Sequence, residues 1–189
     1  IATALSTKPK LLVADEPTTA LDVTIQAQVL DLLLELRQRF GMAMLFITHD
    51  LGVIGKVADD LCVMQSGQIV EEGPVKKTLL TPSNEYTKRL LAAVPSLKKL
   101  QLNREGVTKS SEQKPWSSLV KVKDLDIVYE SSAGLLKRSS FTAVSAANFE
   151  IPTGRIIGLV GESGSGKTSL GRALLKAIPI QAGSIHCLL

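Results

Sequence analysis

Nine consecutive residues concentrate the chemistry of this sequence. Gly161, Glu162, Ser163, Gly164, Ser165, Gly166, Lys167 and Thr168, with Ser169 after them, spell the pattern G-x-x-x-x-G-K-[ST]. Glycines let such a loop wind tightly and turn its backbone N–H groups onto phosphate oxygens. The lysine of the pattern reaches β- and γ-phosphates, and the hydroxyl beside it ligates Mg²⁺. Two further groups lie far upstream. Asp15 and Glu16 are adjacent carboxylates, a pair suited to holding Mg²⁺ through Asp15 and to activating an attacking water through Glu16. The same pair is also readable as two acids capping a strand. His49 is of a type that contacts a γ-phosphate and orients a water, or else serves only the fold.

Stepping outward, the elements around these residues suit the chemistry. The apolar run 156–160 predicts a buried strand before the loop, and 170–178 a helix after it, with its positive end toward the anion. The unbroken run 10–15 predicts a central strand of a parallel sheet covered on both faces. Asp15 and Glu16 then fall at a carboxyl end, where open α/β sheets place their ligands. A polar turn follows, and Asp22 is a fitting N-cap for a helix over 23–40 that Gly41 ends. Its apolar face is predicted to hold Ile25, Val29, Leu32, Leu33 and Leu36. A strand over 42–48 delivers His49, and a short helix spans 51–57. The runs 60–65 and 68–72 form a hairpin about Ser66-Gly67. A helix over 85–93 turns Leu90 and Leu91 inward, and 1–7 is the end of another helix. The alternation within 119–129 and 142–151 predicts two more strands.

Composition narrows the classes. The chain has 189 residues, 44% of them hydrophobic, and a formal net charge of +4, so one or two domains with a packed core are expected. Much of the positive charge lies in 96–115, where Lys98, Lys99, Arg104, Lys109 and Lys114 outnumber Glu105 and Glu112. Apart from Trp116 that stretch has no aromatic residue to stack on bases, so it reads as a solvated linker and argues against nucleic acid. No apolar run approaches the roughly 18–20 residues that span a bilayer, and no signal peptide is visible. Cys62 and Cys187 lack metal-ligand or redox spacing and read as small apolar residues of a reducing compartment.

These motifs resemble those of ATP-binding cassette (ABC) transporter ATPases. The segment Leu-Leu-Val-Ala-Asp-Glu-Pro-Thr-Thr-Ala-Leu-Asp ending at Asp22 resembles their Walker B strand and D-loop, the latter holding Ala20, Leu21 and Asp22. Ile-Thr-His-Asp around His49 resembles the switch histidine, and 161–169 the Walker A loop. The D-loop continuation Val-Thr-Ile-Gln-Ala-Gln and the tail Thr-Pro-Ser-Asn-Glu-Tyr-Thr-Lys-Arg-Leu-Leu over 81–91 resemble dipeptide and oligopeptide importers, although Asn84-Glu85 stands where His-Pro is usual. The resemblance implies a P-loop NTPase fold with an α/β core of parallel strands and an antiparallel β subdomain. It implies ATP and Mg²⁺ as ligands, and an aromatic residue against adenine, with Tyr129 the candidate and Phe141 the reserve. It further implies peptide import at the cytoplasmic face of the inner membrane, with permease subunits, a substrate-binding protein and a second cassette as partners. Nickel import, antibiotic export and a soluble tandem-cassette translation factor are the alternatives.

One departure is the order. Within a cassette the phosphate loop precedes the Asp-Glu strand, whereas here it follows by about 145 residues. The expectation is therefore a piece of a tandem protein: 1–95 from the end of one cassette, 96–118 a linker, and 119–189 from the start of the next. Asp15, Glu16 and His49 then serve one nucleotide and Lys167 and Thr168 another, and low activity is expected of the piece alone. Whether the two parts dock as one permuted cassette, with Lys167 near Asp15, is open from the sequence.

Overall fold

The computed structural model describes residues 2–94, 117–132 and 138–188. The elements in chain order are α1 (Ala2–Leu5), β1 (Leu11–Asp15), α2 (Val23–Phe40), β2 (Ala43–Ile47), α3 (Leu51–Val57), β3 (Asp60–Gln65), β4 (Gln68–Pro74), α4 (Val75–Leu80) and α5 (Glu85–Ala92). Then come β5 (Ser118–Ser132), β6 (Arg138–Pro152), β7 (Ile156–Val160), α6 (Lys167–Leu174) and β8 (Ala182–Cys187). The linker expected over 96–118 lies outside the described residues up to 116, and Ser118 already opens β5.

The main sheet runs β1-β2-β7-β3-β4. β1, β2, β7 and β3 are parallel, and β4 is antiparallel to β3. Thus β7, which feeds the phosphate loop, is inserted between two strands that precede it by some 90 residues or more. Its register sets Met44 against Ile156 on one side and Asp60 against Ile157 on the other. β2 and β7 are buried along their whole length, as an all-apolar run must be when both sheet faces are covered. The question left open by the sequence is answered: the two parts of the chain share one sheet.

Side chains leave β2 alternately. Ala43, Leu45 and Ile47 join a core shared with Leu125, Ile127, Val144 and Leu170, while Met44 and Phe46 join one shared with Leu30, Leu33 and Ile54. The first core is roofed by a second sheet, β6-β5-β8, antiparallel throughout. The architecture is thus α/β, a largely parallel core sheet with a separate antiparallel one. Among the described residues no helix is long and apolar enough to cross a membrane.

Helix α2 begins and ends where its caps require. The Asp22 carboxylate accepts hydrogen bonds from the N–H groups of Thr24 and Ile25, and Gly41 closes the helix in the left-handed conformation. Its buried face departs from the expected one in part. Leu33 is buried and Val29 and Leu36 pack half-buried against the same core, as expected, but Leu30 is buried too, whereas Ile25 and Leu32 are 41% and 46% exposed. Arg37 explains the rotation, because its guanidinium donates to the Gly154 carbonyl and to Asp59 at 2.9 Å, fixing the Leu30–Leu33–Arg37 stripe against the sheet.

Three other expectations shift. The helix after the phosphate loop starts at Lys167 and stops at Leu174, because the loop runs straight into it. In α5, Tyr86 and Thr87 are the buried residues, and Leu90 and Leu91 pack half-buried beside them. Cys62 is buried and its thiol is pushed far above the usual range by that burial, but Cys187 is exposed, so only Cys62 is a core residue.

Candidate functional site

The phosphate loop is shaped by what surrounds it. Gly161 has φ 155°, and a side chain there would run into the Met64 carbonyl oxygen of β3. Gly166, at φ 102°, lies as tightly against the Ala143 carbonyl of β6. Neither position tolerates a Cβ. Between them the chain curls around Lys167, whose ammonium donates to the carbonyls of Gly161 and Glu162, both at 2.8 Å. Lys167 is buried. Burial lowers its pKa, and the nearby Glu16 and Asp15 carboxylates oppose that shift. Lys167, Thr168 and Ser169 at the start of α6 line the same space, and a helix start is where backbone N–H groups favour an anion.

The acidic side comes from β1 and β2. Pairing of Asp15 with Ile47 brings the two strand ends level, so that Glu16 and His49 meet. His49 Nδ1 lies 2.8 Å from Glu16 Oε1, and the Thr19 hydroxyl donates to Glu16 Oε2 at 2.6 Å. These hydrogen bonds, Thr19 first and His49 second, hold the Glu16 carboxyl below its ordinary value. An ionised Glu16 can only accept, so His49 Nδ1 carries the proton of that hydrogen bond.

Both sides line one cavity of about 730 Å³, shared by Asp15, Glu16, His49, Ser163, Gly164, Gly166, Lys167, Thr168 and Ser169. That volume is in the range of small-molecule sites. Tyr129 and Phe141, paired across β5 and β6, form its aromatic wall. Tyr129 donates from its hydroxyl to Ser169 Oγ at 3.1 Å and is 40% exposed, while Phe141 is 63% exposed. Both aromatic candidates therefore face the cavity, and Phe141 offers the more open ring.

Not every candidate residue reaches this space. Gly161, Glu162 and Ser165 form the back of the loop rather than its lining. Ala20, Leu21 and Asp22 stand outside the cavity, and Asp22 is engaged as the cap of α2. Asp15 and Thr168 contribute hard oxygen donors to one cavity. That set suits Mg²⁺, which takes one or two protein oxygens and completes its shell with phosphates and water. Among the described residues no group of three His, Cys, Asp or Glu side chains could hold a metal by itself.

One contact was not foreseen. The Glu162 N–H donates to the Tyr86 hydroxyl at 3.1 Å, joining α5 to the phosphate loop across 76 residues. No local pattern signals it. A tyrosine on a short helix reads only as apolar core.

Comparison with known proteins agrees with this geometry. Residues 144–188 match the family model described as ABC transporter. The chain is 46% identical over 180 residues, 94% of its length, to the peptidoglycan transport ATP-binding protein YejF of Agrobacterium fabrum, covering 31% of that protein. It is 41% identical over 203 aligned positions, 98% of its length, to the glutathione import ATP-binding protein GsiA of Escherichia coli K12, covering 33% of that one. The chain thus spans about a third of the length of these curated relatives. With the phosphate loop, the Asp-Glu strand end and His49 gathered in one cavity, and with that likeness along nearly its whole length, the chain belongs to the ABC transporter ATPases.

Proposed function

We propose that this chain binds Mg·ATP in the cavity between β1, β2 and the phosphate loop. It would act as part of the ATP-driven engine of a peptide importer. The observation that carries the reading is the convergence of Asp15, Glu16 and His49 with Lys167 and Thr168 on one cavity. Lys167 and the α6 N–H groups take the phosphates, Tyr129 or Phe141 takes the adenine face, and Asp15 with Thr168 holds Mg²⁺, which when bound neutralises phosphate charge. Glu16 accepts the proton of the attacking water, and His49, fixed by Glu16, faces the γ-phosphate.

In the whole protein, 1–95 and 119–189 belong to successive cassettes joined by 96–118, and their half-sites serve two nucleotides. The sequence holds no Leu-Ser-Gly-Gly signature, so the 189-residue chain binds nucleotide but turns it over slowly. Relatives named for peptidoglycan transport and glutathione import support cargo of peptide character. They also support membrane permeases and a substrate-binding protein as partners, at the cytoplasmic face of the inner membrane. The test is titration with mant-ATP and Mg²⁺, alongside phosphate release. Saturable binding lost in Lys167→Ala, with turnover far below that of a whole tandem ATPase, is expected. Binding unaffected by Lys167→Ala, or full turnover, would refute the reading.

A further inference from the structure

We propose that Tyr86 is a positioning residue for nucleotide binding: its hydroxyl fixes the peptide between Gly161 and Glu162, and through that peptide it sets where the Lys167 ammonium stands. The proposal rests on the nucleotide reading of the cavity.

A single peptide plane is held from both sides. Its carbonyl, that of Gly161, accepts from Lys167 Nζ at 2.8 Å. Its N–H, that of Glu162, donates to the Tyr86 hydroxyl at 3.1 Å. A peptide is rigid, so rotating it moves donor and acceptor together. Without the phenol oxygen the N–H has no other protein acceptor among the described residues, and a part-buried N–H left unpaired favours a turn of the plane toward water. The Gly161 carbonyl would swing with it and release the lysine from its place in the cradle.

The tyrosine is itself held by a relay from the sheet. The Glu71 carboxylate on β4 accepts from the Ser83 N–H at 2.7 Å, the Ser83 hydroxyl at 2.8 Å and the Asn84 N–H at 3.2 Å. Asn84 in turn caps α5, its side chain accepting from the Tyr86 N–H at 2.8 Å and donating to the Val70 carbonyl. The ring is 5% exposed and sits in the core shared with Val160, the last residue before the loop. The segment after the hairpin is therefore a brace for the phosphate loop, with a hydroxyl as its only polar contact to it among the hydrogen bonds described.

Tyr86→Phe in the 189-residue chain tests this, since it keeps the ring and removes one oxygen. Two readouts are needed: mant-ATP affinity with Mg²⁺, and exchange of the Glu162 amide followed by NMR. The expected result is binding weakened about fivefold, the scale of one neutral hydrogen bond, together with faster exchange at Glu162. A purely structural ring would leave both unchanged in Tyr86→Phe, and that outcome overturns the proposal. Lys167→Ala separates the two levels. If it abolishes binding while Tyr86→Phe does not weaken it, only the role of Tyr86 falls. If Lys167→Ala also binds like the parent chain, the nucleotide reading falls and the brace with it.

Discussion

Glu16 is poised between two donors, and that placement decides its chemistry. With Thr19 and His49 both hydrogen-bonded to it, the carboxylate stays ionised and its direction is fixed before any water arrives. In the proposed reaction a low-pKa base is a modest one, so the value of Glu16 would lie in position more than in proton affinity. Glu16→Gln should leave mant-ATP affinity within about twofold while lowering the residual turnover by at least about a hundredfold, the lower end of what one acid–base group contributes. Single-turnover phosphate release measures it, and an unchanged rate would remove Glu16 from the chemistry. The residues of this centre were legible because each is part of a short local pattern. Tyr86 was not, because its partner is 76 positions away and its neighbours in sequence say nothing of it.

The elements show the same division between local and distant causes. The bounds of α2 were readable since Asp22 and Gly41 are local stop signals. Its inward face was readable only in part: Val29, Leu33 and Leu36 pack as expected, but the anchoring of Arg37 to Asp59 and Gly154, 22 and 117 residues away, leaves no local signal. Asp59 also accepts from the Ile156 N–H at 2.8 Å, so this cluster pins α2 to the start of β7. Arg37→Ala should cost about 1–3 kcal/mol by leaving Asp59 and the Gly154 carbonyl short of a donor, read as a lower urea midpoint at unchanged slope.

Glu71 gives a pH test of the α5 anchor. Burial alone would raise its carboxyl, but the hydrogen bonds it accepts, those from Ser83 and Asn84 among them, outweigh burial and leave it below its ordinary 4.5. A carboxyl depressed on folding contributes stability that is present above its unfolded value and is lost as pH falls through the folded one. Glu71→Gln should therefore lower the thermal midpoint near pH 7, and the gap to the parent chain should close below about pH 4. A gap that persists undiminished at pH 3 would show that Glu71 acts otherwise than as a charged acceptor.

At the scale of the molecule, the sheet is continuous only through β7. β2 touches β7 and β3 touches β7, and no pairing joins β2 to β3. Removing the later part of the chain leaves two separate two-stranded ladders, β1-β2 and β3-β4, each marginal in water. Residues 1–94 alone should accordingly show no cooperative thermal transition by circular dichroism, whereas the 189-residue chain should show one. A sharp transition in the short piece would mean that the two halves fold independently. The sequence held the complementarity of the halves but not its outcome, because parallel pairing across such separations leaves no mark in local periodicity.

The late arrival of that middle strand has a price in time. During synthesis about 90 residues must be added after β3 before β7 begins, an interval of roughly 5–20 s at common bacterial elongation rates. When the 189-residue chain is made by itself, two apolar strand edges wait through that whole interval for a neighbour that is still being translated. Ribosome-stalled forms of this chain ending near residue 150 should be captured by a holdase chaperone far more readily than the completed 189 residues, which would make its nascent polypeptide, rather than its finished fold, the vulnerable species.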